Sequence, residues 1–265
     1  MPLLQPTQET EYMTTANLEI ENLNVKSMST LKYYQLSSAT PPHGDYLRQT
    51  AARMLQLQQD HQISQEYILP IPYLCQIYHL LNLKHLERVH GLSLNGLKVG
   101  SVSQLEATKI GGSVKFKTSL NTSLNILRMW RQPVVEVELT LHTPYTIELN
   151  IPIYQGRKMI IIFNVLPLGN SAHKLFIDIY SDLVFPKPIM QMFLHCASCI
   201  TLYEDLPYLH KLANENLHRR FKSTQGSKRN TMQLFKWFVD LYGSSLEQPQ
   251  SVGAIELQPI SASSY

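Results

Sequence analysis

Cysteine is scarce in this sequence: three residues in 265, an odd number that makes no disulfide framework. A reducing, cytoplasmic setting is the expectation that follows. Charge is scarce as well. Charged residues make up 16% of the chain, and 23 Lys and Arg against 20 Asp and Glu leave a net charge of only +3. A dedicated nucleic-acid binder normally carries a strongly basic face, so nucleic acid is not an expected partner. The first 25 residues hold Glu9, Glu11, Glu19 and Glu21 and no Lys or Arg, so no signal peptide is expected there. The longest apolar stretch, Met159–Phe163 continued by Val165–Leu168, is far too short to span a membrane. No Ser/His/Asp hydrolase motif and no phosphate-cradling glycine loop stands out, and Gly111-Gly112 reads as a turn. What the chain does have is core material. Apolar residues reach 44%, and 8 Phe, 2 Trp and 14 Tyr exclude a disordered chain.

Residues 1 to about 45 are polar, without sustained periodicity, and close on Pro41-Pro42-His43-Gly44. A Gln-rich stretch from Asp45 to about Gln65 carries Ala51, Met54, Leu55 and Leu57 as a modest helical stripe. Pro70 and Pro72 break it, and Tyr73 to about Val89 reads as a second helix ending near Gly91. Three regions result: a polar arm with one helix at 1–65, a main domain at 66–243, and a flexible tail at 244–265.

Between Ser113 and Leu183 the period changes to two. Val114, Phe116, Thr118 and Leu120 alternate with polar residues, as do Val135, Val137, Leu139 and Leu141, and then Tyr145, Ile147, Leu149, Ile151 and Ile153. Residues 158–168 and 175–180 are two further, nearly continuous apolar strands. Short gaps of hairpin length join them, so the expectation is an antiparallel meander. Beyond it Ile189, Phe193, Cys196, Ile200 and Tyr203 recur at helical spacing, which predicts one buried face of a long helix interrupted at Pro207. Cys196 and Cys199 read as small buried residues of that helix rather than a redox pair. A last short helix, about Thr231 to Tyr242, ends at Gly243. The fold class is therefore α+β: a helix-grip (START-like) curved antiparallel sheet packed on a long C-terminal helix, with an apolar cavity between them.

One constellation could carry chemistry. His85 and His90, with Asp205 115 residues downstream, are two imidazoles and a carboxylate, the set that suits non-haem iron(II) and leaves positions open for dioxygen. Residues five apart lie about 140° from each other on an ideal helix, so the helix must distort or end between the histidines. Gly91 makes an ending plausible. His79 is a rival, sharing the face of His90 on an ideal helix. Asp205, just before Pro207, is either a ligand projecting off a kinked helix or the N-cap of a restarted one.

His85-x4-His90 followed by Gly91-Leu92 resembles the helix that supplies both iron-binding histidines in the catalytic domain of Rieske-type ring-hydroxylating oxygenases. Leu202–Leu209 resembles the acidic stretch on their C-terminal helix that supplies the third ligand. Val165–Gly169 and Leu175–Tyr180 resemble the last two strands of that domain. Gln233–Gly243, with Trp237, resembles the closing helix of the pheophorbide a oxygenase-like branch. The resemblance covers roughly residues 75–243. It implies Fe(II) held by His85, His90 and Asp205, an apolar ring or polyene substrate, and oxidoreductase chemistry. Two departures stand beside it. None of Cys75, Cys196 and Cys199 is followed by His at the Cys-x-His or Cys-x2-His spacing of a [2Fe–2S] site, so no cluster is expected in this chain. Electrons would come from a ferredoxin or a separate Rieske protein, with Arg219, Arg220, Lys222, Lys228 and Arg229 as a docking face or simply a solvated one. The acidic residue that carries electrons to the iron in the family is Asn82 here, which can orient His85 but holds no charge. A homo-oligomer remains open. So does a START-like carrier or interaction module of apolar ligands that has lost the metal.

Overall fold

The computed structural model describes residues 43–90, 97–120, 132–215 and 230–246. In chain order its main elements are α1 (His43–Gln56), β1 (His61–Leu69), α2 (Tyr73–Leu81), α3 (His85–Arg88), β2 (Leu97–Ala107), β3 (Gly112–Leu120), β4 (Val134–Thr143), β5 (Thr146–Pro152), β6 (Lys158–Pro167), β7 (His173–Ser181), α4 (Lys187–Asn214) and α5 (Gln233–Leu246). The period-2 segments become β3 to β7, as their alternation requires. All seven strands form one antiparallel sheet in the order β1-β7-β6-β5-β4-β3-β2. The register sets a row of inward apolar side chains across six strands: Val114, Leu139, Leu149, Ile161, Ile179 and Ile63. This row, α2, α4 and α5 share the main core.

The other face of the sheet is covered too. Ile160, Ile162, Leu166, Phe176 and Tyr180 pack there with Met54 of α1 and Leu57 just after it. Burial on both faces explains why β6 reads as a nearly continuous apolar run instead of alternating. The expected boundary at residue 65 therefore falls inside β1, and α1 belongs to the same body as the sheet. Residues 1–42, Gly91, the basic cluster Arg219–Arg229 and the tail from 247 lie outside the described residues.

Several expectations are corrected. The helix predicted to reach Gln65 ends at Gln56, and β1 and β2 form the two edges of the sheet. Both strands put polar residues such as Gln65, Ser103 and Gln104 where a clean alternation would need apolar ones, because an edge strand is half solvated. α4 runs unbroken through Pro207. The missing N–H would have met the carbonyl of Tyr203, and both residues lie on the solvent side, where water can satisfy it. α5 continues three residues past Gly243.

The buried face of α4 is also the opposite of the expected one. Met190, Leu194, Ser198, Leu202, Asp205, Leu209 and Leu212 are buried, whereas Ile189, Phe193, Ile200 and Tyr203 are exposed. Apolar residues line both faces, so periodicity could not choose; the side facing the sheet is decided by packing. Cys196 and Cys199 are accordingly exposed, while Cys75 is buried. A thiol reagent should modify two of the three cysteines in the native protein and the third only on unfolding. Burial pushes the Cys75 thiol up to about 11, which removes its thiolate at neutral pH. Fewer than two reactive thiols in the native protein would show that the outer face of α4 is covered.

Candidate metal centre

α2 stops at Asn82, whose extended backbone (φ −93°, ψ 91°) turns the chain before α3 begins at His85. α3 is a single turn that ends at Arg88, so His90 lies beyond it. The helix thus ends between His85 and His90, as a shared ion requires of residues so spaced. The break brings His79, the last-turn histidine of α2, against His85, with ring centroids 3.9 Å apart. The His85 and His90 rings are 5.3 Å apart. α4 supplies Asp205 from across the core, with Oδ2 3.0 Å from His79 Nε2 and Oδ1 3.4 Å from His90 Nε2. Asp205 arrives on the regular buried face of α4, neither as an N-cap nor by a kink at Pro207. Glu204 Oε2 lies 3.4 Å from His90 Nδ1, an approach that the sequence did not suggest.

His79, His85, His90 and Asp205 are buried, His79 completely. Burial holds the His79 imidazole down at about 3, with the neighbouring His90 adding to the effect. Burial and His79 likewise hold His85 well below the ordinary histidine range, against the pull of Asp205. The Asp205 carboxyl is pushed up to about 6, chiefly by burial, although His90 and His85 draw it down. Neutral imidazoles with free lone pairs are the form that binds metal.

The close approaches are not hydrogen bonds. His79 Nδ1 and Nε2, His90 Nδ1 and Asp205 Oδ1 are buried without a hydrogen-bond partner, despite the 3.0–3.4 Å separations. Leaving such atoms unpaired costs about 1–3 kcal/mol each. A cation held by Asp205 and the facing imidazoles relieves part of that cost, and imidazole nitrogens with one carboxylate suit Fe(II) among the divalent transition metals. The residues fit the ion.

Two overlapping ligand sets can be drawn. Donor atoms of His79, His85 and Asp205 all lie within 4.8 Å of one another. His85, His90 and Asp205, however, are the ones that line a cavity of about 220 Å³ between the sheet and α4, which His79 does not reach. The wall of that cavity is otherwise almost entirely apolar, with Phe116, Leu139, Ile161 and Leu194 among its residues.

Asn82 acts differently from expectation. His85 Nδ1 donates to the backbone carbonyl of Asn82 at 2.7 Å, which leaves Nε2 as the free lone pair. The Asn82 side-chain oxygen instead accepts the backbone N–H of Lys84 at 3.3 Å. Any residue offers that carbonyl, so Asn82→Ala should leave iron(II) affinity within a few-fold of the parent protein. A loss of tenfold or more in a metal titration would show that the side chain is needed.

Among the solved structures that resemble this fold are three oxygenase-type neighbours of low sequence identity. Dicamba monooxygenase bound to 3,6-dichlorosalicylic acid superposes with a TM-score of 0.55 at 10% identity, covering 80% of this chain and 65% of that one. A quaternary ammonium Rieske monooxygenase, described in connection with carnitine oxidation by gut microbiota, gives 0.54 at 12%, covering 81% and 58%. Pseudomonas putida CBB5 NdmA with caffeine gives 0.50 at 14%, covering 77% and 58%. This chain has the fold of a Rieske oxygenase catalytic domain. It spans 65% or less of the length of these three oxygenases. No family model matches the chain, and no curated protein does. The branch suggested by the closing helix therefore stands on the Gln233–Gly243 motif alone. Among the described residues, no helix is long and apolar enough to cross a membrane.

Proposed function

We propose that this chain is a mononuclear non-haem iron oxygenase domain of Rieske type, acting on an apolar ring or polyene compound. One observation carries the reading: His85, His90 and Asp205 meet at the wall of an apolar cavity, with His90 Nδ1 and Asp205 Oδ1 buried there without hydrogen-bond partners. His85, His90 and Asp205, which face the cavity, would hold Fe(II), and His79 would stand behind Asp205 Oδ2. Bound there, iron(II) would supply the activation of dioxygen for oxidation of the compound in the cavity. The Asn82 carbonyl fixes the ring of His85 and its tautomer, and the apolar wall excludes water from the reacting groups. Electrons would come from a separate ferredoxin or Rieske protein, delivered close to Asn82 where the resemblance implies an acidic residue.

Anaerobic titration with Fe(II), followed by metal quantification, tests this reading. About one ion per chain is expected. A second reading, an apolar-ligand carrier of the same fold, is favoured by the lack of charge at position 82. Binding of an apolar probe with no retention of Fe(II) would establish the carrier and overturn the oxygenase.

A further inference from the structure

Gln76 is a buried polar residue of the cavity wall that the metal centre does not use. It is 2% exposed, and its Oε1 has no hydrogen-bond partner. It nevertheless lines the cavity together with His85, His90 and Asp205. On α2 it precedes His79 by three residues, one turn back on the same side and about 4.5 Å along the axis. Of the three hydroxyl-bearing residues of the wall, Ser198 sits on the buried face of α4, and the two threonines donate to backbone carbonyls. Thr201 Oγ1 donates to the carbonyl of Ala197, and Thr118 Oγ1 to that of Val135. No lysine or arginine lines the cavity among the described residues, and its carboxylate belongs to the metal centre.

We infer that the cavity selects an uncharged, largely apolar ligand carrying a hydroxyl, which Gln76 receives beside the metal centre. In the metal-free protein an anionic ligand would meet no lysine or arginine in this wall, and burying it there unpaired is strongly unfavourable. A hydroxyl both donates and accepts, so it satisfies the terminal amide in either orientation. A ligand without one leaves the buried amide oxygen unpaired, since no protein group reaches it. The inference rests on reading the cavity as the substrate site, but it does not depend on the metal.

The test uses the metal-free protein and three probes: naphthalene, 2-naphthol and 2-naphthoate, with affinities measured by calorimetry or probe fluorescence. 2-Naphthol should bind about tenfold or more tightly than naphthalene, the discrimination that one buried hydrogen bond supplies. 2-Naphthoate should bind at least about a hundredfold more weakly than 2-naphthol. Gln76→Met, of similar length and apolar, should erase the preference for 2-naphthol while leaving naphthalene affinity within about threefold. Equal binding of 2-naphthol and naphthalene by the parent protein would overturn the inference, as would a preference that survives in Gln76→Met. Tight binding of 2-naphthoate would do so too. Iron(II) binding is measured separately, so a failure here leaves the oxygenase reading standing, and loss of iron binding leaves this one.

Discussion

Replacing His85, His90 or Asp205 with alanine is expected to abolish iron(II) binding, whereas His79→Ala should retain it with affinity lowered about ten- to hundredfold. The difference follows from where the groups point. His85, His90 and Asp205 open onto the cavity in which a substrate must lie. His79 is fully buried behind them, with Nε2 3.0 Å from the Asp205 oxygen turned away from His90. Its removal would loosen the carboxylate without deleting a cavity-facing donor. The compact set of His79, His85 and Asp205 makes the opposite demand. If His79→Ala loses the metal and His90→Ala keeps it, the ion sits away from the cavity and the oxygenase reading fails. Each variant should also be checked by circular dichroism, so that a loss of binding is not a loss of fold.

The second large effect lies on the other side of the sheet. Arg53→Ala is expected to cost about 3 kcal/mol of stability at pH 7, because it strands a buried carboxylate. Arg53 of α1 makes a two-pronged contact with Glu148 of β5, at 2.8 Å and 2.7 Å, and His142 Nε2 approaches the same carboxylate at 2.8 Å. Glu148 itself is 4% exposed. Burial alone would raise its pKa; hydrogen bonds from Arg53 and His142 more than offset that and hold it at about 2. A depressed carboxyl contributes stability that is complete above its ordinary value near 4.5 and is lost as pH falls through about 2. The parent protein should therefore lose this contribution between roughly pH 4.5 and 2. The penalty of Arg53→Ala should shrink over the same range, since the stranded carboxyl protonates more readily once its partner is gone. Urea unfolding at pH 7 and at pH 3 measures both. A cost below about 1 kcal/mol, or one that does not change with pH, would mean the pair behaves as an exposed surface bridge.

The residues that were legible in the sequence share a physical reason. Strands β3 to β7 could be read because each alternates cleanly or, in β6 and β7, is buried on both faces. The edge strands β1 and β2 could not, since half of each meets water and their polar residues mimic a loop or a helix. The buried face of α4 could not be read either: Ile189, Phe193 and Ile200 offer as good a stripe as Met190, Leu194 and Leu202. At the site, the need for a helix end between His85 and His90 followed from helical geometry, and the chain supplies that end at Arg88. That His79 joins the cluster while His90 faces the cavity depends on the turn at Asn82, which no periodicity encodes. The role of Asn82 itself moved from side chain to backbone for the same reason.

By itself the sequence determined the class of the fold and the kind of chemistry available. Period-2 alternation dictates a sheet, a long apolar helical stretch dictates a packed helix, and two imidazoles with one carboxylate offer donors that suit a transition-metal ion. These are properties of local spacing and side-chain chemistry. Only the tertiary structure decided which face of α4 turns inward, which of three histidines open to the cavity, and that Gln76 is left there without a partner. Those outcomes depend on the packing of α2, α3 and α4 against the sheet. Packing chooses between faces that local chemistry leaves equivalent.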